Sequence, residues 1–147
     1  QDSYFVAAHF HYVLVPGSIF GIYAAIYYWL PKWTGRRMSE LMGQWHSWLT
    51  VVSLNITFFP MHFLGLAGMP RRIPDYALQF TNFNVVATIG AFIFGFSQLL
   101  FIYNIVKTVH SGRKIRGSIW GEGEHGLEWK LPTPMPYHTW SEQPTVD

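Results

Sequence analysis

The sequence predicts an all-α, membrane-integral helical bundle of three transmembrane helices followed by an irregular polar tail. Half of the 147 residues are hydrophobic and only 12% are charged, a balance tilted away from that of a water-soluble domain. The apolar residues gather into three runs, each long enough to cross a bilayer, which takes about 20 residues. Beyond residue 110 the chain turns polar and rich in Gly and Pro, with no sustained period. Residues 1–110 therefore read as the helical unit and 111–147 as an extended tail.

The first span is placed at residues 4–30, ending before Pro31, because the residue ahead of a proline is driven away from helical geometry. Pro16-Gly17 in its middle is a candidate kink, tolerable where neighbouring helices supply hydrogen bonds. Loop 31–43 carries Lys32, Arg36 and Arg37 against one acid, Glu40. The second span, 44–66, begins with Trp45, His46 and Trp48, residues suited to an interfacial belt. Loop 67–78 holds Arg71 and Arg72. The third span, 79–107, is the most uniformly apolar and runs into Lys107, Arg113, Lys114 and Arg116. In the tail, Trp129, Tyr137 and Trp140 are candidate anchors to a cytoplasmic surface. The chain opens on Gln1-Asp2-Ser3 instead of Met, and its first apolar run is too long and too polar for a signal peptide, so it reads as a piece of a larger polypeptide.

Three spans put the first loop and the tail on one side. Seven Lys and Arg lie near the membrane there, against Arg71 and Arg72 on the other side. The positive-inside rule then makes the tail side cytoplasmic and the N-terminus external. The same counts remove whole classes of function. Without cysteine, disulfides and thiolate chemistry are excluded, and a dispersed net charge of +2 gives no footprint for nucleic acid.

His9 and His11 stand out within the first span. Two residues apart on a helix, they point about 200° from one another and lie about 3 Å apart along the axis. One ion cannot easily take both. Each could instead ligate its own centre, a haem or a Zn or Cu site, with Phe10 projecting between; the plainer alternative is two histidines hydrogen-bonded to neighbouring helices. Arg71 and Arg72 sit on the side where cations are disfavoured, so they either meet lipid phosphates or hold carboxylates such as haem propionates, which guanidinium forks grip well. Asp2 fits a helix N-cap or a hard-cation ligand for Mg²⁺ or Ca²⁺. His46 reads as interfacial and His62 as a hydrogen-bonding packing residue, while Ser53, Asn55 and Thr57 read as contacts to neighbouring helices. Nothing in the chain has the pattern of a Ser-His-Asp triad, a phosphate loop or a paired-carboxylate site.

The segments DSYFVAAHFHYVL and NITFFPMHFLGLAGMPRR, with LEW and PMPYHTW further on, closely resemble the C-terminal quarter to third of subunit I of haem-copper cytochrome c oxidases. The resemblance covers essentially the whole chain. It implies the last three of twelve transmembrane helices, in a bacterial cytoplasmic or mitochondrial inner membrane with the tail in the cytoplasm or matrix. By the same resemblance His9 is the axial ligand of the high-spin haem, His11 is one axial ligand of the low-spin haem, and Phe10 lies on the short electron path between them. Arg71 and Arg72 would bind propionates of the two haems, expected to be haem A. Copper B would stand beside the high-spin haem, its ligands outside this chain. The family usually has His-Asp where this chain has Gln1-Asp2, both binding Mg²⁺ near subunit II; here Asp2 carries over, and Gln1 offers only an amide oxygen. Tyr12 after the HFH triplet and Pro70 in GMPRR favour the branch that oxidises cytochrome c over the one that oxidises quinol.

As the resemblance has it, electrons from cytochrome c enter through copper A of subunit II and reduce O₂ to water while protons are pumped outward. Subunit III and the remainder of subunit I complete the complex, and the fragment by itself is expected to be inactive. A quinol-oxidising or nitric-oxide-reducing relative and a non-catalytic membrane scaffold are the alternatives.

Overall fold

Helix α1 (Tyr4–Thr34) starts behind Ser3, whose Oγ accepts a hydrogen bond from Phe5 N, so the N-cap is Ser3 and not Asp2. The computed structural model describes residues 2–121 and 124–144. α1 continues through both Pro16 and Pro31 and stops at Gly35, whose φ of 64° is left-handed and whose N–H bonds Pro31 O at 2.9 Å. The predicted end before Pro31 is thus too early. Proline removes one donor near the helix end, whereas the turn stays closed through its carbonyl and a glycine free to reverse the chain.

A two-residue strand β1 (Arg36–Arg37) leads into α2 (Glu40–Leu66), which begins one turn before the predicted span. After an irregular loop and a 3₁₀ turn at Leu78–Phe80, α3 (Thr81–Ser111) runs back and is followed by β2 (Arg113–Lys114), antiparallel to β1. The three long helices are apolar enough to cross a membrane. At 1.5 Å per residue they measure about 40–46 Å, enough for the hydrocarbon core and both interfaces.

α2 packs against both other helices. At each of two crossings a glycine lets the backbones meet: a Cβ on Gly90 of α3 would stand 2.6 Å from Thr57 N, and one on Gly65 of α2 would clash with Phe5 at the start of α1. Such small-residue contacts are how helices approach where lipid removes the hydrophobic drive to associate. Buried apolar residues are few, with Leu64, Met69 and Phe80 forming a cluster at the end nearest the chain start. Most large apolar side chains of the spans, such as Val13, Leu14, Ile22 and Phe92, face outward.

The tail is less extended than predicted. It folds back on α1 through a short helix α4 (Leu127–Lys130), and Lys32, 1% exposed, donates to Leu131 O at 2.6 Å and Thr133 Oγ1 at 3.1 Å with its Nζ 5.3 Å from the Trp129 ring. Of the candidate anchors, Trp129 packs on Tyr28, but Tyr137 is 95% exposed. Trp120 is a further anchor, donating to Tyr28 O at 3.1 Å and stacking on that ring.

Candidate functional site

The start of α1 is clasped to the loop after α2. Ser3 and Pro70 form an isolated antiparallel bridge, flanked by Tyr4 N to Met69 O at 3.0 Å and Arg71 N to Asp2 O at 2.9 Å. Two segments nearly seventy residues apart in sequence are thereby fixed side by side, and Arg71 and Arg72 come to the end of the bundle from which His9 and His11 descend along α1. His9 is five residues into the helix, about 7.5 Å below its first residue.

The two histidines are in different surroundings. His11 is partly buried against α2, stacked on Phe58 with ring centroids 5.0 Å apart, and its Nδ1 lies 2.6 Å from Ala7 O. A carbonyl can only accept, so this contact calls for the proton on Nδ1 and leaves Nε2 as the nitrogen open to a metal. The backbone bond also fixes the ring, the usual orienting device for a ligating imidazole. His9 is exposed, with no hydrogen bond, ion pair or ring contact among the described residues. Phe10, 42% exposed, lies with its ring 4.2 Å from that of His11.

Arg71 is the less exposed member of the arginine pair. Its side chain is 26% exposed, Nη2 stands 3.9 Å from Asp2 Oδ1, and Nε is buried without a hydrogen-bond partner among the described residues. An orphaned guanidinium N–H beside a loose ion pair suits a further oxygen anion, since an unmade hydrogen bond of a buried charged group is costly. Arg72 is exposed and held at a left-handed φ of 62°. Asp2 is 93% exposed. Gln1 lies outside the described residues, and no cluster of three His, Cys, Asp or Glu that could hold a metal ion occurs among those described. Any hard-cation site using Asp2 would draw its other ligands from elsewhere.

The model of the family described as cytochrome c and quinol oxidase polypeptide I matches residues 1–93, the stretch that contains both histidines and the arginine pair. The chain belongs to this family. Similar members include cytochrome c oxidase subunit 1 of Thermostichus vulcanus, 46% identical over 99% of this chain, and that of Cereibacter sphaeroides, 44% identical over 98%. Subunit 1 of Bacillus sp. (strain PS3) is 42% identical over 99%. The chain spans about a quarter of the length of these relatives, 26%, 26% and 24% respectively. In this member of the cytochrome c and quinol oxidase polypeptide I family the helical bundle holds together with few buried apolar residues.

At the opposite end of the bundle lies a second polar region that the sequence pattern does not mark. His46, expected at the interface, is 1% exposed. The earlier start of α2 carries it nearly two turns into the helix, where it stacks on Phe101 at 4.8 Å and meets Tyr27 Oη through Nδ1 at 3.2 Å. Tyr23 pairs with Gln98, and Thr50 with Ser97 at 3.1 Å. The alternating polar residues of α2 bond mostly within their own helix, Ser53 to Thr50 O and Thr57 to Ser53 O, while Asn55 also accepts from Tyr12 of α1. His62 behaves as expected, bonding Phe59 O at 3.3 Å and packing among Phe5, Tyr12 and Phe59. A polar residue two turns inside an apolar run is visible as a signal; which helix it faces is not.

Proposed function

We propose that this chain is the part of a haem-copper oxidase catalytic subunit that carries one axial ligand for each of two haems and the arginines that hold their propionates. The observation that carries the reading is the state of His11, partly buried, oriented by Ala7 O and with Nε2 left as its free lone pair, on the opposite face of one helix from an exposed His9. His11 would bind the low-spin haem and His9 the high-spin haem, with Phe10 between them. When bound, haem iron and copper would supply the electron transfer and O₂ reduction, and His9, His11, Arg71 and Arg72 would hold and tune the haems. Arg71, with its unpartnered Nε, and Arg72 would take propionate oxygens. Asp2 would contribute to a Mg²⁺ site, together with Gln1 if its amide oxygen serves there.

In this reading the complete subunit, with subunits II and III, takes electrons from cytochrome c and pumps protons, in a bacterial cytoplasmic or mitochondrial inner membrane. The N-terminal end faces outward and the tail faces the cytoplasm or matrix. The haems are haem A, and the isolated fragment is inactive because the copper ligands and the second low-spin haem ligand lie outside it. In the full-length subunit within its complex, His11→Ala is expected to abolish the low-spin haem absorbance band and turnover, and His9→Ala to remove the high-spin haem while sparing the low-spin band. An unchanged low-spin spectrum in His11→Ala would leave the chain as a scaffold whose histidines only bridge helices. The matching family also embraces quinol oxidases, so the donor is settled by turnover with reduced cytochrome c against turnover with quinol. Rapid oxidation of quinol alone would move the chain to the other branch.

A further inference from the structure

The two short strands at the tail end of the bundle pair cation against cation. Arg36 stands opposite Lys114 and Arg37 opposite Arg113, although like charges directly across a ladder destabilise it. Arg36 is partly satisfied by Gly112 O at 2.9 Å. No carboxylate lies within ion-pair distance of any of the four among the described residues, where the Arg71–Asp2 contact is the sole ion pair. Arg37, Arg113, Lys114 and Arg116, with Ser118, line one polar cavity of about 530 Å³. A ribbon that concentrates uncompensated cations around a cavity asks for an anion with several oxygens, which forked guanidinium groups bind best.

Its depth says where that anion comes from. α1 and α3 end one residue before each strand, and exposed tryptophans surround this end: Trp33 at 52%, Trp45 at 60%, Trp48 at 69% and Trp120 at 42%. Such a belt marks the level of lipid headgroups. Polybasic segments directly beside a membrane span attract anionic lipid. We infer that the β1–β2 ribbon, with Arg116, is a binding site for the phosphate of an anionic phospholipid headgroup, independent of the haem reading.

The test uses the full-length subunit in its complex, in detergent micelles titrated with phosphatidylglycerol or phosphatidylcholine, counting bound lipid by native mass spectrometry. Phosphatidylglycerol is expected to bind in preference to phosphatidylcholine and to resist 100 mM inorganic phosphate. The combined R37Q/R113Q/R116Q variant should bind it about a hundredfold more weakly, at about fivefold per cation removed. R116Q alone, outside the strand pairing and so without consequence for the ribbon, should weaken it about fivefold, and R37K/R113K, which keeps the charges but loses the guanidinium forks, should weaken it less than the triple variant does. Equal phosphatidylglycerol binding in the wild type and R116Q, or complete displacement by inorganic phosphate, would overturn the lipid site.

Discussion

At the end of the bundle that holds Arg71, polar groups point away from the chain: His9 is exposed, Asp2 is 93% exposed and Arg71 Nε has no partner. At the end that holds Lys32 they are answered from within, the lysine by Leu131 O and Thr133, Arg36 by Gly112 O, and Asn104 by the backbone of Ser39. The first end has a half-buried cation in Arg71, and the second a fully buried one in Lys32. Among the described residues the first leaves His9 and Arg71 Nε without partners, and the second satisfies Lys32, Arg36 and Asn104 from within while the cations of the β1–β2 ribbon have no ion pair. On the proposed function the difference separates residues kept for cofactors from residues kept for folding, and it can be broken by substitutions that act on one end alone.

The largest expected effect comes from the crossing that sets the first end. A Cβ on Gly65 would stand 2.1 Å from Phe5 N, so Gly65→Val must push the start of α1 off α2 and carry His9 and His11 with it. Overpacking of this kind costs about 3 kcal/mol at the upper end of the usual range. In the assembled complex the expected outcome is loss of both haem bands, although Gly65 is not itself a ligand. Normal haem content in Gly65→Val would mean that the clasp formed by Ser3, Met69 and Pro70 positions the histidines without the crossing.

Lys32→Met acts on the other end. It leaves Leu131 O without its charged donor, a loss of about 2 kcal/mol for a hydrogen bond to a charged group. Proteolysis within residues 127–134 should accelerate while the haem spectrum stays intact. Arg71→Gln is the converse. The fold should hold, and if Arg71 pairs with a haem propionate as proposed, removing its charge should lower the potential of that centre, by about 60 mV for a pair worth about 1.5 kcal/mol. A Lys32 variant that shifted the haem potential, or an Arg71 variant that released the tail, would merge the two ends into one cooperative unit.

How much of this was legible in the sequence follows the same division. The three spans are written as apolar runs, and His9, His11, Arg71 and Arg72 stand out because charged or ionisable groups are rare in such positions. The helix ends were less legible: Pro31 looks like a stop, but Gly35 supplies the true one, and α2 begins among the polar residues at Glu40. Lys32 read as a loop cation because its burial depends on residues 131–133, a hundred positions away, folding back over it. His46 read as interfacial because composition marks depth along a helix but not the face presented to Tyr27 and Phe101. The bridge between Ser3 and Pro70 uses backbone alone, which leaves no mark in side-chain pattern.

The smallest effect belongs to the tail and depends on pH. Glu124 accepts hydrogen bonds from the backbone N–H of Ile119 and of Trp120, and the first of these, followed by the second, holds its carboxyl below the ordinary value of 4.5. A carboxyl with a lowered folded-state pKa stabilises the fold fully above the unfolded value, and that contribution fades as pH falls through the folded value. The turn that positions Trp120 against Tyr28 should therefore be intact at neutral pH and loosen only below the ordinary carboxylate range. Trp120 fluorescence, isolated by comparison with a Trp120→Phe variant, should change in that acidic window and stay flat from pH 6 to 8. In Glu124→Gln the acidic transition should vanish, because a neutral amide accepts the same bonds more weakly at every pH. A transition that persisted in Glu124→Gln would place the titrating group elsewhere in the tail and leave the closed end without this acid-sensitive latch.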